Sequence, residues 1–196
     1  RDPAAVMEQE GEVPLPPYLA RAAEPIDRDR YQTVYAGPLG SSAAPTAGLH
    51  FDPALLGALG ARGVGFATVT LHVGLGTFQP LHTERIEDAH LHTERYHIEP
   101  GEAAKIRAAR RVVAVGTTST RTIESAWRDG ALSGETDIFI YPGYEFRRTD
   151  ALLTNFHLPR TSLLLLVAAL AGKDLTLAAY RHAVQSHYRF FSYGDC

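Results

Sequence analysis

Three histidines sit in short motifs whose neighbours suit proton transfer. His50 closes the run Ala44-Pro-Thr-Ala-Gly-Leu-His-Phe51 just before a helix start, and an imidazole there can act as acid or base near neutral pH. A turn histidine that caps or packs is spelled the same way. His72 ends an apolar stretch and is followed by Gly74-Leu-Gly-Thr-Phe78; strand ends of this kind are where open α/β sheets bind ligands. The Gly-x-Gly is not the dinucleotide fingerprint, because neither a third glycine nor a helix follows. His157 lies two residues after Asn155 in Thr154-Asn-Phe-His-Leu-Pro159, so on a strand the two share a face. An amide there can read a base edge while an imidazole shuttles a proton; the alternative is two satisfied polar groups beside a turn.

Two further stretches suit anions and bases. Val112 to Val115 reads as a short strand, then Gly116, Thr117, Thr118 and Ser119 lead into a helix carrying Arg121. Free N–H groups at a helix start attract anions and hydroxyls add donors, although one of these hydroxyls could simply cap the helix. The stretch lacks the Walker lysine, which argues against a P-loop. Tyr188-Arg-Phe-Phe-Ser-Tyr-Gly-Asp195 interleaves Arg189 with rings such as Phe191 and Tyr193, which can stack bases and hold phosphate or fill a core. His82, His90, His92 and His97 cluster in sequence, but there is no His-Glu-x-x-His and no cysteine pair. No metal is expected.

The elements that must position these groups alternate. Asp52 and Pro53 predict a helix start, Leu55, Leu56 and Leu59 its face, and Gly63 its stop. Val64 to Val73 alternates as a strand. Helices are predicted over 102–111, 121–128, 162–171 (stopped by Gly172) and 175–187. Strands are predicted over 112–115, 138–141, 152–158 and 188–193. This pattern implies layered α/β architecture with a mixed sheet. Residues 1–45 carry seven prolines and read as an extended arm or connector, leaving 46–196 as the α/β domain. At 196 residues and a formal charge of −3, the chain has no global positive field, so any RNA contact must use a local patch. The longest apolar run, Leu163 to Ala171, is shorter than the roughly 20 residues a membrane span needs. With one cysteine, Cys196, a cytoplasmic location and no membrane are expected. The chain opens on Arg1 and stops just after Gly194-Asp195, so it is expected to be a fragment.

The motifs stand in a fixed order. Pro14-Leu-Pro-Pro-Tyr18, Arg30-Tyr-Gln-Thr-Val-Tyr-Ala36, Ala43 to Phe51, Thr70-Leu-His-Val-Gly74 and Gly76-Thr-Phe78 come first. Val115-Gly-Thr-Thr-Ser119, Thr154 to Pro159 and Tyr188 to Asp195 follow. Together they resemble the S-adenosylmethionine:tRNA ribosyltransferase-isomerases of queuosine biosynthesis, over nearly the whole chain. The resemblance implies a family fold of an α/β domain plus a β-barrel domain, the barrel and the start of the α/β domain lying outside this chain. It implies transfer and isomerisation of the ribosyl part of S-adenosylmethionine onto 7-aminomethyl-7-deazaguanine at a tRNA wobble position. The product is epoxyqueuosine, with adenine and methionine released. S-adenosylmethionine is then co-substrate, tRNA the partner, and a monomer without metal is expected.

The resemblance makes His50, His72, His157 and Asp195 the proton-transfer candidates, His50 and His157 foremost. Thr117, Thr118 and Ser119 would meet ribose hydroxyls or a carboxylate, and Arg121 and Arg189 a carboxylate or phosphate. Phe191 and Tyr193 would stack the base. Thr46, Gly48, Phe51, Gly76, Thr77 and Asn155 are the remaining substrate contacts. The family's His-x-Met-His pattern stands here as Ala89-His-Leu-His92, and the family continues with Ala-Met where this chain has Cys196. Two alternatives remain: a shortened relative that binds tRNA or S-adenosylmethionine without turnover, and a paralogue that acts on another amine.

Overall fold

Asp52 begins the first long helix as its side chain promises. In a computed structural model describing residues 6, 10–13, 15–41, 43–74 and 85–196, its carboxylate accepts from the backbone N–H of Leu55 at 2.7 Å. After a short turn of helix, α1 (Asp27–Arg30), this element is α2 (Pro53–Ala61). It buries none of its residues fully: Leu55 is exposed, while Leu56 and Leu59 are half-buried. The others are α3 (Pro100–Ala108), α4 (Gly116–Asp129), α5 (Ser162–Ala171) and α6 (Lys173–Gln185). Thr161 caps α5 by accepting from Leu164 N at 3.4 Å, and α5 and α6 meet at 115°.

The strands are β1 (Thr70–His72), β2 (Glu94–His97), β3 (Val113–Val115), β4 (Ser133–Thr136) and β5 (Ala151–Leu153). They form two small sheets. One is antiparallel in the order β1-β2-β4, with Leu71 opposite Tyr96 and Tyr96 opposite Gly134. The other pairs β3 with β5 in parallel, Ala114 opposite Leu152, and α4 lies in the crossover that parallel pairing requires. Helices with both pairings make the chain α/β.

One core joins Leu71 and Tyr96 of the antiparallel sheet to Ala103 and Ile106 of α3 and Ile123 and Ala126 of α4. A second gathers Ile138, Ile140 and Leu166. Two polar clamps hold α4 and α3 to β5. Glu124 on α4, fully buried, accepts from the backbone N–H groups of Arg147, Arg148 and Thr149 at 2.7, 3.1 and 2.8 Å. The Arg148 guanidinium donates from Nε to the carbonyl of Ile106 at 3.1 Å and from Nη2 to that of Ala109, closing the C-terminal end of α3.

Several sequence expectations differ from the structure for identifiable reasons. Of 64–73 only Thr70–His72 is strand, because only there does β2 supply ladder partners. Ile138 and Ile140 are buried as alternation demands, but residues 138–141 have no strand partner among the described residues. Residues 188–193 are not a strand either. Phe191 takes a φ of +72°, which turns the chain, and the rings pack on other side chains instead of a sheet. Conversely, β2 and β4 are charged and polar, and no apolar alternation marks them.

Candidate active site

Helix α4 starts at Gly116, directly after β3, and no side chain caps it. Gly116 makes the turn with a φ of +87°, a region open to glycine at little cost. The hydroxyls that follow do not satisfy the first turn's donors. Thr120 donates to Gly116 O at 3.2 Å, while Thr117, Thr118 and Ser119 accept no helix N–H. Gly116, Thr117, Thr118 and Ser119 line a cavity of about 1630 Å³ together with Thr46, Asn155 and His157, which places the uncapped first turn at its wall. That volume exceeds the roughly 300–1,000 Å³ typical for one small ligand.

His50 ends a 3-10 turn, Thr46–His50, that packs beside the start of α4; Thr46 and Ala47 of this turn line the cavity, and His50 is not among the lining residues. Asn155 Nδ2 donates to His50 Nε2 at 2.8 Å, and Thr46 Oγ1 donates to Asn155 Oδ1 at 3.4 Å. Gly48 makes this turn possible. A methyl there would overlap the Tyr35 hydroxyl and stand 2.6 Å from Thr33 Cγ2. Gly48→Ala is expected to destabilise the chain by about 1–3 kcal/mol through overpacking. Urea unfolding reads it directly, and an unchanged midpoint would show that Tyr35 moves aside freely.

His157 also lines the cavity, and burial pushes its pKa down to about 4. Its Nε2 lies 3.1 Å from Thr154 Oγ1, and its backbone N–H donates to Tyr180 Oη at 2.8 Å. The imidazole is neutral at pH 7. Because its folded pKa lies below the ordinary value of 6.5, the unfolded chain binds the extra proton between those limits. Its contribution to stability is full above pH 6.5 and is lost as pH falls toward 4, by about 3 kcal/mol. His157→Gln is expected to flatten the urea midpoint across that window; curves that stay parallel to the unsubstituted protein would rule the titration out.

The C-terminal loop forms the third wall. Arg189 donates from its backbone N–H to Asp195 Oδ2 and from Nη2 to Oδ1, both at 2.8 Å, and the Asp195 N–H returns to Arg189 O at 2.7 Å. The guanidinium and then the Arg189 backbone hold the Asp195 carboxyl below its usual range. Asp195 and Arg189 thus serve each other, with the imidazole of His50 a smaller influence on Asp195. Phe191 and Ser192 line the cavity. The positive φ of Phe191 is of the kind that costs about 1–3 kcal/mol and survives only where surroundings impose it.

Those surroundings come from the N-terminal arm, a contact sequence reasoning missed. Tyr18 stacks on Phe191 at 4.6 Å and bonds its hydroxyl to that of Ser192. Tyr31 meets Tyr193 edge-on at 5.5 Å, and Tyr193 Oη donates to Asp27 Oδ1 at 3.2 Å. Asp27 is buried and held in two-toothed fashion by Arg21 at 2.7 and 2.8 Å. Tyr18 and Tyr31 stand in the first two of the ordered motifs, but nothing in their spacing points to the far end of the chain.

Among the described candidates His50, Gly48, Arg189, Tyr193 and Asp195 do not line the cavity, and neither do two others. Arg121, 5% exposed, pairs its Nη1 with buried Glu94 at 2.6 Å and does not line the cavity. Its Nε and Nη2 have no hydrogen-bond partner among the described residues. Among those same residues, nothing bonds to His72 Nδ1, which is buried on β1 outside the cavity wall. Gly76, Thr77 and His82 fall outside the described residues. Among the described residues no three His, Cys, Asp or Glu side chains converge as a metal site.

Residues 2–196 match the model of a family described as queuosine biosynthesis protein. The chain belongs to this family. It is 67% identical over 192 residues to the S-adenosylmethionine:tRNA ribosyltransferase-isomerase of Solibacter usitatus (strain Ellin6076), covering 98% of this chain and 54% of that protein. It is 55% identical over 197 residues to the protein of that name from Geobacter sulfurreducens, covering 96% and 57%. A crystal structure of S-adenosylmethionine tRNA ribosyltransferase from Thermotoga maritima is similar with a TM-score of 0.64 and 47% identity, over 76% of this chain and 49% of that one. The chain spans just over half the length of these family relatives.

Proposed function

We propose that this chain carries the reaction centre of an S-adenosylmethionine:tRNA ribosyltransferase-isomerase. The reaction needs a base to remove a proton beside the sulfonium and an acid to protonate departing adenine. Methionine leaves as a neutral thioether, and the ribosyl carbons end on the aminomethyl nitrogen of the wobble deazaguanine as an epoxycyclopentanediol. The observation that carries this reading is that an uncapped helix start, the Asn155 amide that holds the His50 imidazole, and aromatic side chains line one cavity large enough for a nucleoside and a base.

The roles follow from position. The first-turn N–H groups of α4, with Thr117, Thr118 and Ser119, take the methionine carboxylate or the ribose hydroxyls. His50 moves protons. Phe191 and Tyr18 stack the splayed wobble base. The reading takes the protein as a cytoplasmic monomer with S-adenosylmethionine as co-substrate and no resident metal.

Charge supports an RNA partner. Although the chain is formally −3, the cavity lining carries Arg28, Lys105, Arg110 and Arg111 against Glu99 alone among carboxylates. Arg110 and Arg111 are exposed, so their guanidinium groups are open to phosphate. The double change Arg110→Gln, Arg111→Gln is expected to weaken binding of a fluorescent anticodon stem-loop and lower its salt slope by about 1.5. Binding of S-adenosylmethionine should persist. An unchanged slope would remove these arginines from the RNA path.

Adenine release tests the reading itself. With S-adenosylmethionine and tRNA bearing the deazaguanine, the protein purified from its source cells should release adenine only when that tRNA is present. Binding without release would favour the non-catalytic relative, and release with small free amines alone would favour another acceptor.

A further inference from the structure

The polar chain from Thr46 through Asn155 to His50 does more than hold a ring in place. Asn155 is 4% exposed, so each of its amide atoms relies on its protein partner. Its Nδ2 donates to His50 Nε2, and a ring nitrogen that accepts carries no proton, so neutral His50 is the Nδ1–H form. Protonation would place a second hydrogen on Nε2, facing the amide's own N–H. Two donors face to face leave the buried amide N–H unpaired, an arrangement the site can hold only at a penalty.

A half-turn of the amide removes that conflict. Oδ1 then accepts from Nε2–H, and Nδ2 donates to Thr46 Oγ1, a hydroxyl that accepts as readily as it donates. The 3.4 Å contact between Thr46 and Asn155 is thus usable in both directions. We propose that Asn155 is a positioning residue whose side-chain amide turns over each time His50 gains or loses a proton, with Thr46 as the reversible end of the chain.

This arrangement lets His50 hold either charge state without stranding the Asn155 amide, the proton gained or lost being the one on Nε2. The charged group set within electrostatic reach of His50 is Asp195, itself held by Arg189. The benefit to turnover rests on the reading of His50 as proton carrier; the coupling of amide to imidazole does not.

The test is nitrogen-15 NMR of the His50 ring and the Asn155 side-chain amide, followed as the pH is varied. Neutral His50 should carry its proton on Nδ1, and the Asn155 amide signals should shift with the same midpoint as the ring. Asn155→Asp can only accept, so neutral His50 should switch to the Nε2–H form and bind its proton at least about tenfold more tightly. A neutral ring protonated on Nε2 in the unsubstituted protein, or Asn155 signals flat through the His50 midpoint, overturns the proposal. Those two readings need no variant, so they decide the matter even where Asn155→Asp fails to fold. If the coupling is present but His50→Ala retains turnover, the proton-carrier role fails and the coupling stands.

Discussion

Replacing His50 by alanine is expected to lower turnover by about 10²–10⁴-fold, the usual share of a positioned acid or base. Adenine release, measured at saturating S-adenosylmethionine and tRNA, reads that loss in kcat. Substrate binding should change little, because the α4 donors and the aromatic wall remain. His157→Ala is the informative comparison. Both histidines sit in motifs of equal promise, but burial holds the His157 pKa at about 4. At neutral pH that ring has no proton to give departing adenine, and as a base it is weak. Its loss should therefore lower turnover by roughly tenfold or less, short of the range for a true acid–base group. A His157→Ala defect as deep as that of His50→Ala would reverse these roles.

Glu124→Gln should produce the largest loss of stability from a single isosteric change. The carboxylate is fully buried and accepts from three successive backbone N–H groups, with the Tyr144 hydroxyl as a fourth donor at 3.3 Å. Glutamine turns one acceptor into a donor that meets another donor. Charge-assisted hydrogen bonds contribute about 1.5–3 kcal/mol each, so a loss of about 3 kcal/mol is expected. For a chain of this size that is a fall of roughly 6–12 °C in Tm. The same carboxylate ties α4 to the segment entering β5, and Asn155 follows β5 by two residues. The variant should therefore also loosen the Asn155–His50 contact. A Tm shift under about 3 °C would mean that the loop at 144–149 finds other partners.

How much was legible in the sequence follows from where the physics is local. Asp52 and Pro53 spell a cap and a first helical residue, and α2 starts there. Gly172 stops α5 where the sequence places it. Val112 to Val115 reads as strand with a hydroxyl-rich approach to a helix after it, but the helix expected from Arg121 already begins at Gly116. Thr46, Asn155, His157, Phe191 and the three hydroxyl residues do line one cavity.

Long-range pairing was not legible. Glu94 looks like a solvent charge, yet it is buried against Arg121, which removed that arginine from the substrate side. Arg189 and Asp195 look like a cation for substrate and a catalytic carboxylate, but each satisfies the other six residues away. The aromatic run at 188–193 reads as strand because alternation cannot see the positive φ at Phe191 or the ring of Tyr18 that accompanies it.

The central claim is that ribosyl carbons pass from S-adenosylmethionine to the wobble base through this cavity. The most direct measurement supplies S-adenosylmethionine labelled in its ribosyl carbons, with tRNA bearing 7-aminomethyl-7-deazaguanine, and follows label, adenine and methionine together. The expected result is label in the wobble nucleoside, with adenine and methionine released in equal amounts and all three lost in His50→Ala. Adenine released while the RNA stays unlabelled would contradict it.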